Sequence, residues 1–185
     1  MNYFKRWLQS PLQQKLNWLT VLFSGIFIIF TILMAPASQI LQTSRYDIVV
    51  FEFSWTVSGA QTILSDWGPT LQFVAIRLNW LDYGWMIGYG GLMWALNIAL
   101  ARKLRGRLQL IGCWMGAFGI VAASLDAIEN LMLLVMLYSR SFPALIPFVG
   151  SLCALVKFIL VGCAIFWFLV VGFIRLLKTF LFKSP

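Results

Sequence analysis

The sequence predicts an all-α integral membrane protein, a four-helix transmembrane bundle with an outer interfacial or re-entrant helix. Composition is the first reason. Of 185 residues, 61% are hydrophobic and 11% charged, with a mean hydropathy of +0.87, whereas a soluble domain carries about 25% charged residues. Too few polar residues remain to cover a water-facing surface, so lipid must be the solvent for much of the chain. The second reason is four apolar stretches, each long enough for the roughly 20 helical residues of a span. The third is the grouping of ten of the fourteen basic residues into three short segments. The whole chain, 1–185, reads as one membrane domain.

The first span is expected at about 16–35. Ala35-Pro36-Ala37 resembles a signal-peptidase site. The apolar run nonetheless exceeds a signal core and follows an amphipathic lead containing Pro11, so an uncleaved anchor is expected. The segment at about 47–66 is apolar on most sides but interrupted by Glu52, Ser54, Ser58, Gln61 and Asp66. It reads as one interfacial helix on the outer face, its small and polar stripe Glu52, Thr56, Gly59, Ala60 and Ile63 turned to protein. The second span, about 70–101, starts behind Gly68-Pro69, a good first turn. Its Gly84, Gly88, Gly91, Ala95 stripe shares a side with Arg77, while Asp82, Tyr89, Met93 and Asn97 line a nearly opposite side, so this helix has two packing faces. In the third span, about 108–138, Gly112, Gly116, Gly119, Ala123, Asp126 and Asn130 form one stripe. In the fourth, about 144–174, Gly150, Ala154, Lys157, Val161 and Ala164 do the same. Small residues at such spacing let helices approach closely, within the chain or against a protein partner or second copy.

Orientation follows from Lys5, Arg6 and Lys15 before the first span, Arg102, Lys103, Arg105 and Arg107 between the second and third, and Arg175, Lys178 and Lys183 after the fourth. The positive-inside rule puts all three segments, and hence both termini, in the cytoplasm. The net charge of +8 is then a topology signal with some attraction to anionic membrane lipids, and nucleic acid is not an expected partner.

All six acids fall on the outer side or in the outer parts of spans under this topology. At 1.5 Å per residue, Asp82 stands about 30 Å from Arg102, Asp126 about 28 Å and Glu129 about 33 Å from Arg107, and Lys157 about 27 Å from Arg175. Ionisable groups therefore meet at one level. The polar layer expected there comprises Glu52, Asp66, Arg77, Asp82, Tyr89, Asp126, Glu129, Asn130 and Lys157. As a brace it would pair Lys157 with Asp126 or Glu129, and Arg77 with Glu52 or Asp66. Four acids against two bases leave an excess that protons, water or a cationic group must meet. An oxygen-rich cluster would suit a divalent cation such as Ca²⁺ or Mg²⁺, while no organic cofactor is expected.

The chain has no His, the commonest general base and zinc ligand. Asp126 and Glu129 could serve as acid and base, but no nucleophile motif or phosphate loop accompanies them, so enzymatic activity is not the leading expectation. Cys113, Cys153 and Cys163 read as buried small hydrophobes. Trp7, Trp18, Trp114 and Trp167 read as the cytoplasmic aromatic belt and Trp55, Trp67, Trp80 and Trp85 as the outer one. The Tyr3-Phe4-Lys5-Arg6-Trp7 end reads as interfacial. The leading function is a non-enzymatic accessory subunit or assembly and scaffold module. The second is an outward-facing polar pocket that binds or transports a cation, lipid head group or small solute.

Phe51-Glu52-Phe53, Ala60-Gln61-Thr62-Ile63-Leu64-Ser65-Asp66-Trp67, Leu81-Asp82-Tyr83 and Asp126-Ala127-Ile128-Glu129-Asn130 follow the order F-E-[LF], A-x-x-I-L-x-x-W, L-D-[FY], D-A-x-E-N. In this the chain resembles an uncharacterised family of small bacterial four-span membrane proteins over about 46–137. The resemblance implies a multi-pass protein of the bacterial cytoplasmic membrane. It also implies that Glu52, Trp67, Asp82, Asp126, Glu129 and Asn130 belong to one site or brace.

Overall fold

A computed structural model describes residues 10–139 and 141–181. Tyr3 to Trp7, with Lys5 and Arg6, and Lys183 lie outside the described residues. Among those described there is no strand. Five helices follow one another: α1 Gln13–Gln42, α2 Ile48–Glu52, α3 Val57–Ala101, α4 Arg107–Tyr138 and α5 Leu145–Leu181. Three of them, α1, α4 and α5, are long and apolar enough to cross a membrane. The stretch 70–101 is helical too, but α3 is not among those three, and its position accounts for its polarity. It is packed on α1 along one side and on α4 along the other, which buries Asn79, Tyr89 and Asn97, while Asp66 and Arg77 stay exposed. α5 packs on α4, and α1 is not packed along α5 among the described residues.

Glycines set these contacts. A Cβ on Gly88 would stand 2.6 Å from the Phe27 backbone nitrogen, and Cβ atoms on Gly84 and Gly91 would collide with the rings of Phe30 and Phe23. On the opposite side of α3, a Cβ on Gly90 would stand 2.6 Å from Ala123 Cβ and one on Gly119 would stand 2.8 Å from Met93 Cβ. The stripes of the second and third spans are thus taken up by helix packing inside the chain.

α1 runs through Pro36 to Gln42, a turn and more beyond the expected end at residue 35. Thr43 and Ser44 close it with hydroxyl bonds to the Ile40 and Leu41 carbonyls at 2.7 and 2.8 Å. The outer segment is not one helix. Asp47 caps α2 by accepting from the Val50 N–H at 2.9 Å, and α2 ends at Glu52. Trp55 then takes a φ of 55°, and Thr56 caps the next helix, its Oγ1 accepting from the Gly59 N–H at 3.1 Å. The expected stripe from Glu52 to Ile63 is therefore broken at Thr56. A second break falls at Gly68, with φ 56° and ψ −176°, the left-handed region that glycine tolerates. Pro69, lacking an N–H, starts the 69–101 arm of α3. Gln72 Nε2 reaches back across the break to the Leu64 carbonyl at 2.7 Å.

At the far end, Arg102 donates to the Pro11 carbonyl at 2.6 Å and to Gln13 Oε1 at 3.1 Å, while Arg175 donates to the Lys103 carbonyl. The start of α1, the α3–α4 turn and the end of α5 thus meet at one end of the molecule. Trp67 departs from the expected belt. It is 3% exposed, packs tilted against Phe51 with ring centres 5.0 Å apart, and donates to the Tyr46 carbonyl at 2.7 Å, fastening the segment before α3 to the core. Trp85 is half-buried, its ring against Tyr89 and its Nε1 donating to Thr31 Oγ1 at 2.9 Å. Cys113 and Cys153 are buried, whereas Cys163 is exposed on α5.

Candidate functional site

Lys157 organises the polar layer. Its ammonium stands 2.6 Å from Asp126 Oδ1, 2.7 Å from Glu129 Oε2 and 3.7 Å from Glu52 Oε2. Helical spacing places these groups on facing sides of α4 and α5. Asp126 and Glu129 are three residues apart on one face of α4, and Lys157 lies on the α5 face that Gly150 and Ala154 bring close. The Asp126 and Glu129 side chains are 1% and 0% exposed. Such burial is tolerable for a carboxylate only beside a cation and hydrogen-bond donors. Asp126 has both, since Tyr89 Oη donates to its Oδ2 at 2.8 Å.

Glu52 arrives by a different route from the continuous helix expected of it. α2 stops just there, and Ser151 of α5 holds the turn by donating to the Glu52 carbonyl at 2.7 Å while accepting from the Trp55 N–H at 3.0 Å. Burial pushes the Glu52 carboxyl above its ordinary value, with the Lys157 charge pulling the other way and that of Asp126 adding to the rise. The fourth acid, Asp82, faces the layer from α3 and accepts from Asn130 Nδ2 at 2.6 Å.

Two residues expected in the layer lie outside it. Asp66 is exposed in the helix before Gly68. Arg77 is exposed on the side of α3 that also bears Phe73 and Trp80. Neither forms an ion pair among the described residues, and the Arg77 pairing with Glu52 or Asp66 is replaced by the pairing of Glu52 with Lys157. The layer therefore sets four carboxyl groups against one ammonium, not two. Among the described residues no three Asp, Glu or Cys side chains converge as a metal-holding group. The acids are turned to Lys157, Tyr89 and Asn130 instead.

The layer forms one end of a cavity of ≈ 530 Å³, walled by Phe27 and Met34 of α1, Val49 and Glu52 of α2, Leu92, Met93 and Leu96 of α3, and Phe158, Val161 and Ile165 of α5. Asp82, Asp126, Asn130 and Lys157 supply its polar floor. Val49, Phe158 and Ile165 are also exposed, so the groove opens sideways where α1 and α5 stand apart. Two contributors, Asn79 and Ser151, were not expected from sequence. Asn79 had a usable signal, for it extends the Asp82, Tyr89, Met93 face one turn toward Pro69. Ser151 had none, because its partner is a backbone carbonyl of a distant turn.

Comparison with known protein families, curated proteins and solved structures finds no match. The site is read from its own geometry.

Proposed function

We propose that this chain is a multi-pass membrane protein whose groove binds an amphiphile drawn from the surrounding lipid. One observation carries the reading, namely a sideways-open cavity with long apolar walls and charge confined to one end. Ligand sites are mostly apolar concavities with a few convergent polar groups, and this one adds a lateral mouth among span-forming helices. In this reading the 69–101 arm of α3 is the fourth span. The basic end made by Arg102, Lys103 and Arg175 is cytoplasmic, and the layer lies toward the outer leaflet, as the positive-inside rule and the resemblance to small bacterial four-span proteins both favour. An accessory or scaffold role draws on the small-residue stripes, and these are occupied largely by packing within the chain, so ligand binding is the better-supported function. Native mass spectrometry of protein released from native-membrane nanodiscs tests it. Wild type should retain a lipid-sized adduct that Val161→Trp, which fills the groove, loses. A wild type released without any adduct would overturn the reading.

A further inference from the structure

Asn79 is 2% exposed and lines the groove. Its Nδ2 donates to the Ala75 carbonyl of its own helix at 3.0 Å, while its Oδ1 has no hydrogen-bond partner. A buried acceptor left unpaired is costly, because it has given up its water without gaining a donor. Three residues on, Asp82 projects from the same face of α3. It accepts from the neutral Asn130 amide and pairs with no cation among the described residues, since the Lys157 ammonium is engaged by Asp126, Glu129 and Glu52. Asn79 and Asp82 thus line the groove one turn apart on α3, one with a buried amide oxygen that has no partner and the other with a carboxyl group that pairs with no cation among the described residues, and apolar walls at Leu92, Leu96 and Val161 lead away.

Resting on the groove as a lipid site, we propose that its ligand carries a primary ammonium on an apolar chain, seated between Asn79 Oδ1 and the Asp82 carboxylate. An ammonium brings three N–H donors and one positive charge, which are the two things this corner lacks. A quaternary ammonium brings the charge without a donor for Asn79. An anionic head group would face four carboxyl groups. A long-chain amine and an aminophospholipid share the required chemistry.

The test is a head-group series on delipidated wild-type protein in mild detergent, read by native mass spectrometry and thermal shift. The members are dodecylamine, dodecyltrimethylammonium and dodecanol, with phosphatidylethanolamine, phosphatidylcholine and phosphatidylglycerol as the lipid arm. Primary amines should bind about tenfold or more tightly than their quaternary counterparts. The dodecylamine and phosphatidylethanolamine arms tell which source is taken. Asp82→Asn should weaken amine binding about tenfold, and Asn79→Leu should erase the preference for primary over quaternary. Equal binding across head groups would overturn the ammonium assignment and leave the groove reading standing. Failure of every amphiphile to bind would overturn both. A thermal shift produced by Mg²⁺ or Na⁺ alone, and lost in Asp82→Asn, would overturn it in favour of an inorganic cation. The wild-type series needs no variant to fold.

Discussion

Replacing Lys157 with Met keeps most of the apolar stem and removes the charge. Asp126 and Glu129, 1% and 0% exposed, would then lose the ammonium at 2.6 and 2.7 Å, and Glu52 would lose its cation at 3.7 Å. Removing one partner of a buried ion pair costs about 3 to 5 kcal/mol, because the other charge stays buried without compensation. Lys157→Met should therefore lose stability on that scale, partly relieved when the carboxyls take up protons. Glu129→Gln in the same chain removes one of the stranded acids. The double variant should accordingly be more stable than the sum of the single losses predicts, by about 0.5–3 kcal/mol. Unfolding by titrating sodium dodecyl sulfate into mild-detergent micelles gives the three free energies. Additivity within about 0.5 kcal/mol would refute the reasoning, since it would mean that Lys157 and Glu129 do not share a buried interaction.

Tyr89→Phe deletes the 2.8 Å hydrogen bond to Asp126 and should cost about 1.5–3 kcal/mol, the range for bonds to charged groups; an unchanged unfolding midpoint would count against that bond. Gly88→Ala would press a Cβ to 2.6 Å from the Phe27 backbone and should cost about 1–3 kcal/mol. Gly162→Ala, with nothing within 4 Å, should be neutral or slightly stabilising, and the reverse order would contradict the α1–α3 contact. Burial raises the Glu52 carboxyl above 4.5, with Lys157 opposing. A group whose folded value is raised contributes stability that is fully present below its unfolded value and is lost as pH rises through the folded one. Thermal stability should thus fall from acid toward neutral pH by a component that Glu52→Gln removes, and an identical profile in that variant would dismiss it.

The meeting of Asp126, Glu129 and Lys157 was legible because helical period and rise fix both the face and the level of a side chain before any neighbour is known. Tyr89 and Asp82 followed from the same arithmetic on α3. The outer segment was not legible to that degree. Nothing between Phe53 and Thr56 carries a glycine or proline, and Thr56 lacks a Glu or Gln three residues on, so neither the break nor the new cap had a local signature. Arg77 and Asp66 were misplaced because counting charges assumes that each seeks a buried partner, whereas both sit on exposed helix sides. The small-residue stripes announced close packing and were silent on whether the neighbour was this chain or another. Only the assembled helices reveal Phe23, Phe27 and Phe30 lying across Gly84, Gly88 and Gly91.

The most direct measurement is an electron cryomicroscopy density map of the protein in a lipid nanodisc, with a rigid fusion or antibody fragment to aid alignment. An elongated density should lie in the groove between Phe27 of α1 and Val161 of α5, with one end within hydrogen-bonding reach of Asp82 or Asn79. A map in which α1 closes onto α5 and leaves no such density, with Glu52 turned away from Lys157, would contradict a lateral lipid site floored by the Lys157 layer.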